Sequence, residues 1–441
     1  MTPRRFPPGF LWGTASSSHQ HEGQNTNNQW WAWEQQPGRI WHGDTSGDAC
    51  GWWHDVEPDI DRAAALGLNA HRLSLEWSRI EPRDGVFDDR AIARYREILQ
   101  ALHRRGLTPM VTLHHFTNPS WLEARGGWLD PCTPDRFARY VRYAVDRLGD
   151  LCRLWCTINE PTVYAGMSFL EGLWPPGATS LLLARRALAA LLAGHAAAAA
   201  TIHATGPEHR VGIVHNFHIM RPGTGKLRDR VVARLADEVV NGAMLHALRT
   251  GYLMRPLGRV GQQVPGLPGS SDFFGLNYYS RSWVVFDRRA AGWSLSRAFI
   301  PDHVEQSDRN SRGQAYGEIY PAGLHHALHR VSRLRLPIYI TETGLPDHDD
   351  DQRPRFLLDH LAEVHRAIKE GVDVRGVFIW SLLDNFEWSE GWDLRFGLYA
   401  FDKWSGERRL RPSGALYAII ARANALPGAA AAVAQPKEEH A

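Results

Sequence analysis

Eight short, almost continuously apolar runs recur along the chain, separated by segments with helical periodicity, and few folds accept that rhythm. The runs are Phe10–Ala15, Ala70–Leu75, Pro109–His114, Leu154–Asn159, Val211–His215, Phe273–Asn277, Ile338–Thr341 and Gly376–Trp380. Amphipathic stretches such as Asp59–Leu66, Asp89–Arg105, Pro134–Leu148 and Arg355–Gly371 lie between them. A strand that is apolar on both faces suits a parallel sheet covered by helices. Eight such strands alternating with helices predict an α/β fold, a single (β/α)8 TIM barrel with long βα loops. The 441 residues would ordinarily suggest two or three domains, but α/β barrels run long as one. No shift in composition divides the chain. Residues 1–426 are therefore expected to form the catalytic domain. Residues 427–441, Ala-rich and then charged, are expected to fray. Gly261–Ser271 and Arg281–Arg312 read as polar loops.

Bulk properties exclude several classes. Hydrophobic content of 44% and charged content of 22% are ordinary for a globular protein. A net charge of +2 gives no reason to expect nucleic acid or an anionic membrane as partner. No apolar segment follows Arg4 and Arg5, so no secretory signal is expected. The longest apolar stretch, Ala187–Ile202, falls short of the roughly 20 residues of a spanning helix and reads as a packed Ala/Leu helix. Four cysteines are too few for a disulfide scaffold. Cys152 and Cys156 read as buried thiols, and a reducing cytoplasm is the expected location. The 18 tryptophans fit two readings equally, a large aromatic core or stacking surfaces for sugar rings.

A barrel of this kind places its site at the C-terminal ends of the strands. Read off in order, those ends carry Ser18-His19-Gln20, Arg72 with Glu76-Trp77, His114-His115, Asn159-Glu160, Asn277-Tyr278-Tyr279, Glu342, and Trp380 followed by Asp384-Asn385-Phe386-Glu387-Trp388. Donors, acceptors and aromatic faces at one rim suit a polyol ring. A phosphate loop, a GxGxxG fingerprint and a His-rich metal cluster are all missing from that set, so no cofactor and no metal are expected. Glu160 and Glu342 carry the argument furthest. A carboxylate at the tip of a buried strand is costly unless it is paired or used, and paired carboxylates are the working parts of glycoside hydrolysis. Glu160, held before Pro161 with restricted backbone, needs a raised pKa to serve as general acid. Glu342 must stay ionised to serve as nucleophile, and Arg72 is placed to supply a positive neighbour. His114 and His115 are adjacent on a strand and point to opposite faces, so they cannot chelate one metal together. His115 is the one expected to face the lumen and donate to a hydroxyl. Trp380, Trp388, Trp392 and Phe396 cluster around Glu387, a combination expected to form a ring-binding platform.

At these residues the chain resembles family 1 glycoside hydrolases, the β-glucosidase family, over about Phe6 to Arg422. The resemblance rests on Phe10-Leu-Trp-Gly-Thr-Ala15, Gln20 with Glu22-Gly23, Arg72-Leu-Ser-Leu-Glu-Trp-Ser-Arg-Ile80, Thr112-Leu-His-His115, Thr157-Ile-Asn-Glu-Pro161, Gly275-Leu-Asn-Tyr-Tyr279, Ile340-Thr-Glu-Thr-Gly344, Trp380-Ser-Leu-Leu-Asp-Asn-Phe-Glu-Trp388 and Arg395-Phe-Gly-Leu398. It implies a retaining mechanism with Glu342 as nucleophile and Glu160 as acid/base. Asn159 would bind the 2-hydroxyl. Gln20, His115, Glu387 and Trp388 would hold the other hydroxyls, with Trp380 as the floor under the ring. Tyr279 and Arg72 would tune Glu342. Asn277 and Phe396 complete the expected substrate-binding set.

The chain also departs from the family pattern. Thr343 stands where Asn is common, Phe116-Thr117-Asn118-Pro119 replaces the usual Trp-Asp-Leu-Pro, and Tyr316-Gly317-Glu318 replaces the usual Gly-Trp before Ile319. These changes lie toward loops that shape the leaving-group side. The segment from His21 through Trp31 is more similar to archaeal-type β-glycosidases, which tend to accept glucosides and galactosides. The implied partners are small-molecule β-glycosides or oligosaccharides, with self-association into a homo-oligomer kept as an option. A 6-phospho-β-glycosidase is disfavoured, since Glu387, Leu394 and Phe396 stand where such enzymes hold the phosphate. A catalytically inactive sugar-binding protein is disfavoured by the presence of both Glu160 and Glu342. A transglycosylase would use the same residues with a non-water acceptor.

Overall fold

The computed structural model describes residues 4–259, 261–289 and 295–427. Eight parallel strands close into a barrel: β1 (Leu11–Ala15), β2 (Ala70–Ser74), β3 (Thr108–His114), β4 (Leu154–Asn159), β5 (Arg210–Asn216), β6 (Phe273–Asn277), β7 (Ile338–Thr343) and β8 (Val374–Trp380). Consecutive strands are neighbours, and β8 closes on β1 with Gly376 opposite Leu11 and Trp380 opposite Ala15. Each strand differs from its sequence expectation by at most two residues at either end. The fold is thus the TIM barrel that the alternation predicts.

Principal helices follow the strands in turn: α1 (Glu57–Ala65), α2 (Asp89–Arg104), α3 (Thr133–Leu148), α4 (Leu181–His203), α5 (Ala243–Thr250), α6 (Pro321–Val331), α7 (Arg353–Lys369) and α8 (Pro412–Ala423). Their local causes are visible in α2. The Asp88 side chain caps it by accepting from the Arg90 amide at 2.8 Å, and Ala91, Ile92, Tyr95, Ile98, Leu99 and Leu102 form its buried face. His103 and Arg104 sit in its last turn, where cations suit the helix dipole. Helix α4 is long and apolar enough to cross a membrane by length and composition. Its buried face, with Leu188, Leu191 and His195, packs against α3 and the barrel strands β4 and β5.

The lumen and the outer layer are separate cores. Ala70, Met110, Cys156, Val214, Phe273, Tyr339 and Phe378 fill the lumen, and Tyr279, Trp380 and Phe396 extend that cluster to the rim. Two strand glycines make room for it. Gly13 lies opposite Phe378 and Gly212 opposite Phe273. A Cβ at either position would come within 2.5 Å or 2.3 Å of the facing ring, so only glycine admits those phenyl groups.

One expected loop is structured. Within Arg281–Arg312, Arg281–Phe286 pairs antiparallel with Ser296–Phe299 and parallel with Ile219–Pro222, forming a three-stranded sheet outside the barrel. Val284 buries against Val232 and Ala233. The stretch is half-exposed and flanked by polar turns, so its short apolar alternation is masked in the sequence. Arg4–Arg5 also pairs antiparallel with Ala425–Leu426. The expected frayed tail lies, from residue 428 onward, outside the described residues.

Candidate active site

The C-terminal ends of the strands surround a cavity of about 360 Å³. Glu342 stands near the end of β7, buried, with both carboxylate oxygens engaged. Arg72 Nη1 donates to its Oε1 at 2.5 Å, and the Tyr279 hydroxyl donates to its Oε2 at 2.8 Å. Arg72 comes from the middle of β2 and is fully buried. Its remaining donors reach Thr112 Oγ1 on β3, Asn159 Oδ1 on β4 and the Thr341 carbonyl on β7. A buried guanidinium is tolerated because every face of it meets an acceptor.

Glu160 directly follows β4. Its backbone departs from the extended form expected before proline: φ is +45° and ψ +60°, in the left-handed region. Pro161 begins a helix, Pro161–Phe169, that leaves the strand at once. The proline disfavours the right-handed helical region for its predecessor, and the sharp strand-to-helix turn removes the extended option. Phe116 and Trp388, which also line the cavity, share a positive φ. Such non-glycine conformations cost about 1–3 kcal/mol each and concentrate at functional sites. Burial pushes the Glu160 carboxyl up to about 8, the Glu342 charge adds to the rise, and hydrogen bonds from Asn277 and Asn216 oppose it. Asn277 Nδ2 donates to Glu160 Oε1 at 2.6 Å. The Tyr279 phenol is likewise raised, first by burial and then by Glu342.

The opposite wall is built around Glu387. Trp380 Nε1 donates to its Oε1 at 2.8 Å, and Gln20 Nε2 approaches its Oε2 at 3.3 Å. Gln20 is fixed in turn by Ser17 and by the Phe386 carbonyl. Burial raises the Glu387 carboxyl well above the usual carboxylate range. Trp388, His115 and Trp380 lie face to face, with His115 6.2 Å from the Trp388 ring and 6.0 Å from the Trp380 ring. Asn159 Nδ2 donates to His115 Nε2 at 3.3 Å, and Nδ1 has no protein partner. Burial and Arg72 lower the His115 pKa strongly. The ring is therefore neutral, and the network assigns its proton to the free Nδ1. His114 points the other way, into Trp128, Phe137 and Tyr164.

Ten of the twelve expected site residues line the cavity: Gln20, His115, Asn159, Glu160, Tyr279, Glu342, Trp380, Glu387, Trp388 and Phe396. Arg72 and Asn277 do not. For Arg72, expected to act on Glu342 and not on the ligand, that position fits. Asn277, expected in the substrate-binding set, is not among the residues that line the cavity. It lies behind Glu160 and Asn159, held by Thr341 Oγ1 at 2.7 Å. Trp392 lies behind the platform, its indole donating to the Thr45 carbonyl. Sequence reasoning missed Asn216, at the end of β5, whose buried Oδ1 has no protein partner. A polar residue closing strand five was the available signal. Phe116, Met167, Trp174 and Tyr316 supply the apolar outer wall, with Asn310, Arg312 and Glu390 at the entrance. There Arg312 pairs with Glu390 and lies over the Trp41 ring.

The cavity thus offers a carboxyl group that holds its proton, a carboxylate braced by a guanidinium, and a wall of hydroxyl acceptors beside indole faces. Those are the requirements for cleaving an acetal between sugar and leaving group.

Residues 2–426 match the family profile described as "Glycosyl hydrolase family 1". Among curated relatives, "Beta-glucosidase A" of Thermotoga maritima is 33% identical over 454 residues, covering 97% of this chain and 100% of the relative. "Beta-galactosidase" of Sulfolobus acidocaldarius is 31% identical, covering 96% of each chain. Among solved structures, a β-glycosidase from Pyrococcus horikoshii superposes with a TM-score of 0.88 at 39% identity, covering 97% of each chain.

Proposed function

This chain belongs to glycosyl hydrolase family 1, and from that premise we propose a retaining exo-β-glycosidase with Glu342 as nucleophile and Glu160 as acid/base. The single observation that carries the assignment is the asymmetry between the two carboxyl groups. Arg72 and Tyr279 both serve Glu342, whereas Glu160 is raised by burial and receives amide donors. Environments that push two carboxyls apart separate the acid from the nucleophile.

In the first step a Glu342 oxygen attacks the anomeric carbon. The bond from that carbon to the leaving oxygen breaks, and the Glu160 proton passes to the leaving oxygen. In the second step Glu160 takes a proton from water, the hydroxide oxygen attacks the same carbon, and the glycosyl ester to Glu342 breaks. Two inversions return the β configuration. Asn159 holds the 2-hydroxyl, His115 donates through Nδ1, and Glu387 with Gln20 grips hydroxyls on the far side of the ring above Trp380. The glycone is a terminal non-reducing β-D-glucosyl residue, with galactosyl and fucosyl residues also accepted. Every step uses side chains of this chain, so the proposal needs no cofactor. All four cysteines are free thiols, which suits the cytoplasm as the working compartment.

Product stereochemistry tests the mechanism. The first-formed sugar, followed by NMR, is expected to be the β-anomer, and an α-anomer would overturn the assignment. Glu342→Gly is expected to abolish hydrolysis, with azide restoring turnover of an activated aryl glycoside. Near-normal activity in that variant would remove Glu342 as nucleophile.

A further inference from the structure

We propose that His325, His329 and Glu370 form a site for a divalent transition-metal ion such as Zn²⁺, which clamps the C-terminal ends of helices α6 and α7. The two histidines sit four residues apart on one face of α6, and Glu370 immediately follows α7. His325 Nε2 and His329 Nε2 converge on the same oxygen, Glu370 Oε2, at 2.7 Å and 2.6 Å. One ligand atom from each residue lies within 4.8 Å of the other two. The rings are 4.5 Å apart, so both nitrogens are presented together.

The donor set fits the chemistry. Two imidazole nitrogens and a carboxylate oxygen suit Zn²⁺, at about 2.0–2.2 Å from each. In the metal-free arrangement Glu370 Oε2 accepts from both Nε2–H groups. A cation needs the lone pair of both Nε2 atoms, so each imidazole must carry its proton on Nδ1. Protonation of either ring competes with the metal, which makes binding weaken as pH falls. Ligand atoms around a tetrahedral ion are about 3.3 Å apart, given those bond lengths. The present contacts must therefore open by about 0.6 Å, which side-chain rotation at a partly exposed site allows. His329 and Glu370 have side-chain exposures of 39% and 43%, leaving room for water to complete the coordination.

Arg366 is the internal competitor. Its Nη2 lies 3.1 Å from His325 Nδ1 and its Nε 3.2 Å from Glu370 Oε1. With the metal on Nε2, His325 carries its proton on Nδ1, donor facing donor. Arg366 must then turn away, and its side chain, 53% exposed, also pairs with Glu363 at 3.0 Å and can stay on that partner. Because α6 leads into β7 and α7 into β8, the site lies at the end of the barrel opposite Glu160 and Glu342, the end associated with stability. The expectation that no metal binds rests on the rim residues alone. This cluster is elsewhere and joins residues 45 positions apart, so sequence spacing conceals it.

The test uses the full chain stripped with a chelator and then given ZnCl2, NiCl2 or MgCl2 alone. Zinc or nickel at about 100 times its Kd is expected to raise the Tm by about 3 °C, and magnesium to leave it unchanged. His329→Ala and Glu370→Gln should each lose most of that shift while keeping wild-type glycosidase activity, which also shows that they fold. Arg366→Ala should bind zinc more tightly by titration calorimetry. The proposal is overturned if zinc does not shift the wild-type protein, or if the two ligand variants keep the full shift.

Discussion

Arg72 Nη1 lies 2.5 Å from Glu342 Oε1 while Nη2 of the same guanidinium lies 2.7 Å from Asn159 Oδ1. One buried cation thus fixes both the proposed nucleophile and the amide beside the proposed acid. Removing one partner of a buried pair leaves an uncompensated charge, at a cost of about 3–5 kcal/mol. Arg72→Met is therefore expected to lower kcat/KM by at least about 10²-fold and to reduce stability in urea. Arg72→Lys keeps a charge but loses the fork that reaches two acceptors, so it should rescue stability more than activity. Equal recovery of both would argue against a positioning role.

The raised Glu160 carboxyl has a sign in both activity and stability. As the proposed acid of the free enzyme, it must be protonated, so kcat/KM is expected to fall as pH rises through about 8. Glu160→Gln should abolish that alkaline limb and retain turnover best on substrates whose leaving group needs no proton. For stability, the folded state holds this proton more tightly than the unfolded chain does. The penalty is absent below the unfolded pKa, grows as pH rises above it, and is complete above the folded value. A tenfold difference in proton affinity corresponds to about 1.4 kcal/mol. Glu160→Gln is thus expected to be more stable than the wild type at pH 8, with the gain shrinking toward pH 4 in urea titrations. A gain that grows toward acid would contradict the burial argument.

Much of this site was legible because the barrel rule converts strand ends into a list of rim residues. Glu342, Asn159 and Trp380 needed only the strand boundaries. Geometry that depends on what a side chain meets was not legible. Asn277 and Glu342 are register partners on adjacent strands, yet Asn277 is covered by Glu160 and so serves it from below. The left-handed backbone of Glu160 likewise follows from the helix that starts at Pro161, not from the dipeptide alone. The tryptophans divide between both readings of their number. Trp12, Trp77, Trp128 and Trp155 are core, whereas Trp174, Trp380 and Trp388 line the cavity. The sheet strand Arg281–Phe286 was missed because its apolar alternation is short and its buried partners come from a distant helix.

Glu387 receives Trp380 Nε1 on one oxygen and Gln20 Nε2 on the other, leaving lone pairs for the two sugar hydroxyls that it is proposed to grip. A site built to bond a hydroxyl discriminates strongly against analogues that lack it, because its buried groups are then unpaired. Glu387→Gln is expected to lower kcat/KM on a β-glucoside by about 10²-fold or more. A β-fucoside lacks the 6-hydroxyl and should lose less. Rates on aryl β-glucoside, β-galactoside and β-fucoside for both proteins check this. An equal loss on all three would mean that Glu387 does not contact the 6-hydroxyl.

Asn216 closes β5 beside Glu160 and has a buried Oδ1 without a protein partner. Its amide stabilises the charged form of Glu160 and so opposes the upward push of burial. Removing it should therefore move the Glu160 pKa further up. Asn216→Ala is expected to shift the alkaline limb of kcat/KM to higher pH, an effect that loss of packing alone does not produce. If the free Oδ1 also accepts from the leaving-group side of the substrate, KM for an oligosaccharide should rise more than KM for a small aryl glycoside. Asn216→Asp places a third carboxylate against Glu160 and Glu342, and like charge raises Glu160 as well. The pH profile of this variant should move in the same direction as that of Asn216→Ala. An unchanged alkaline limb in both variants would leave Asn216 as cavity wall only.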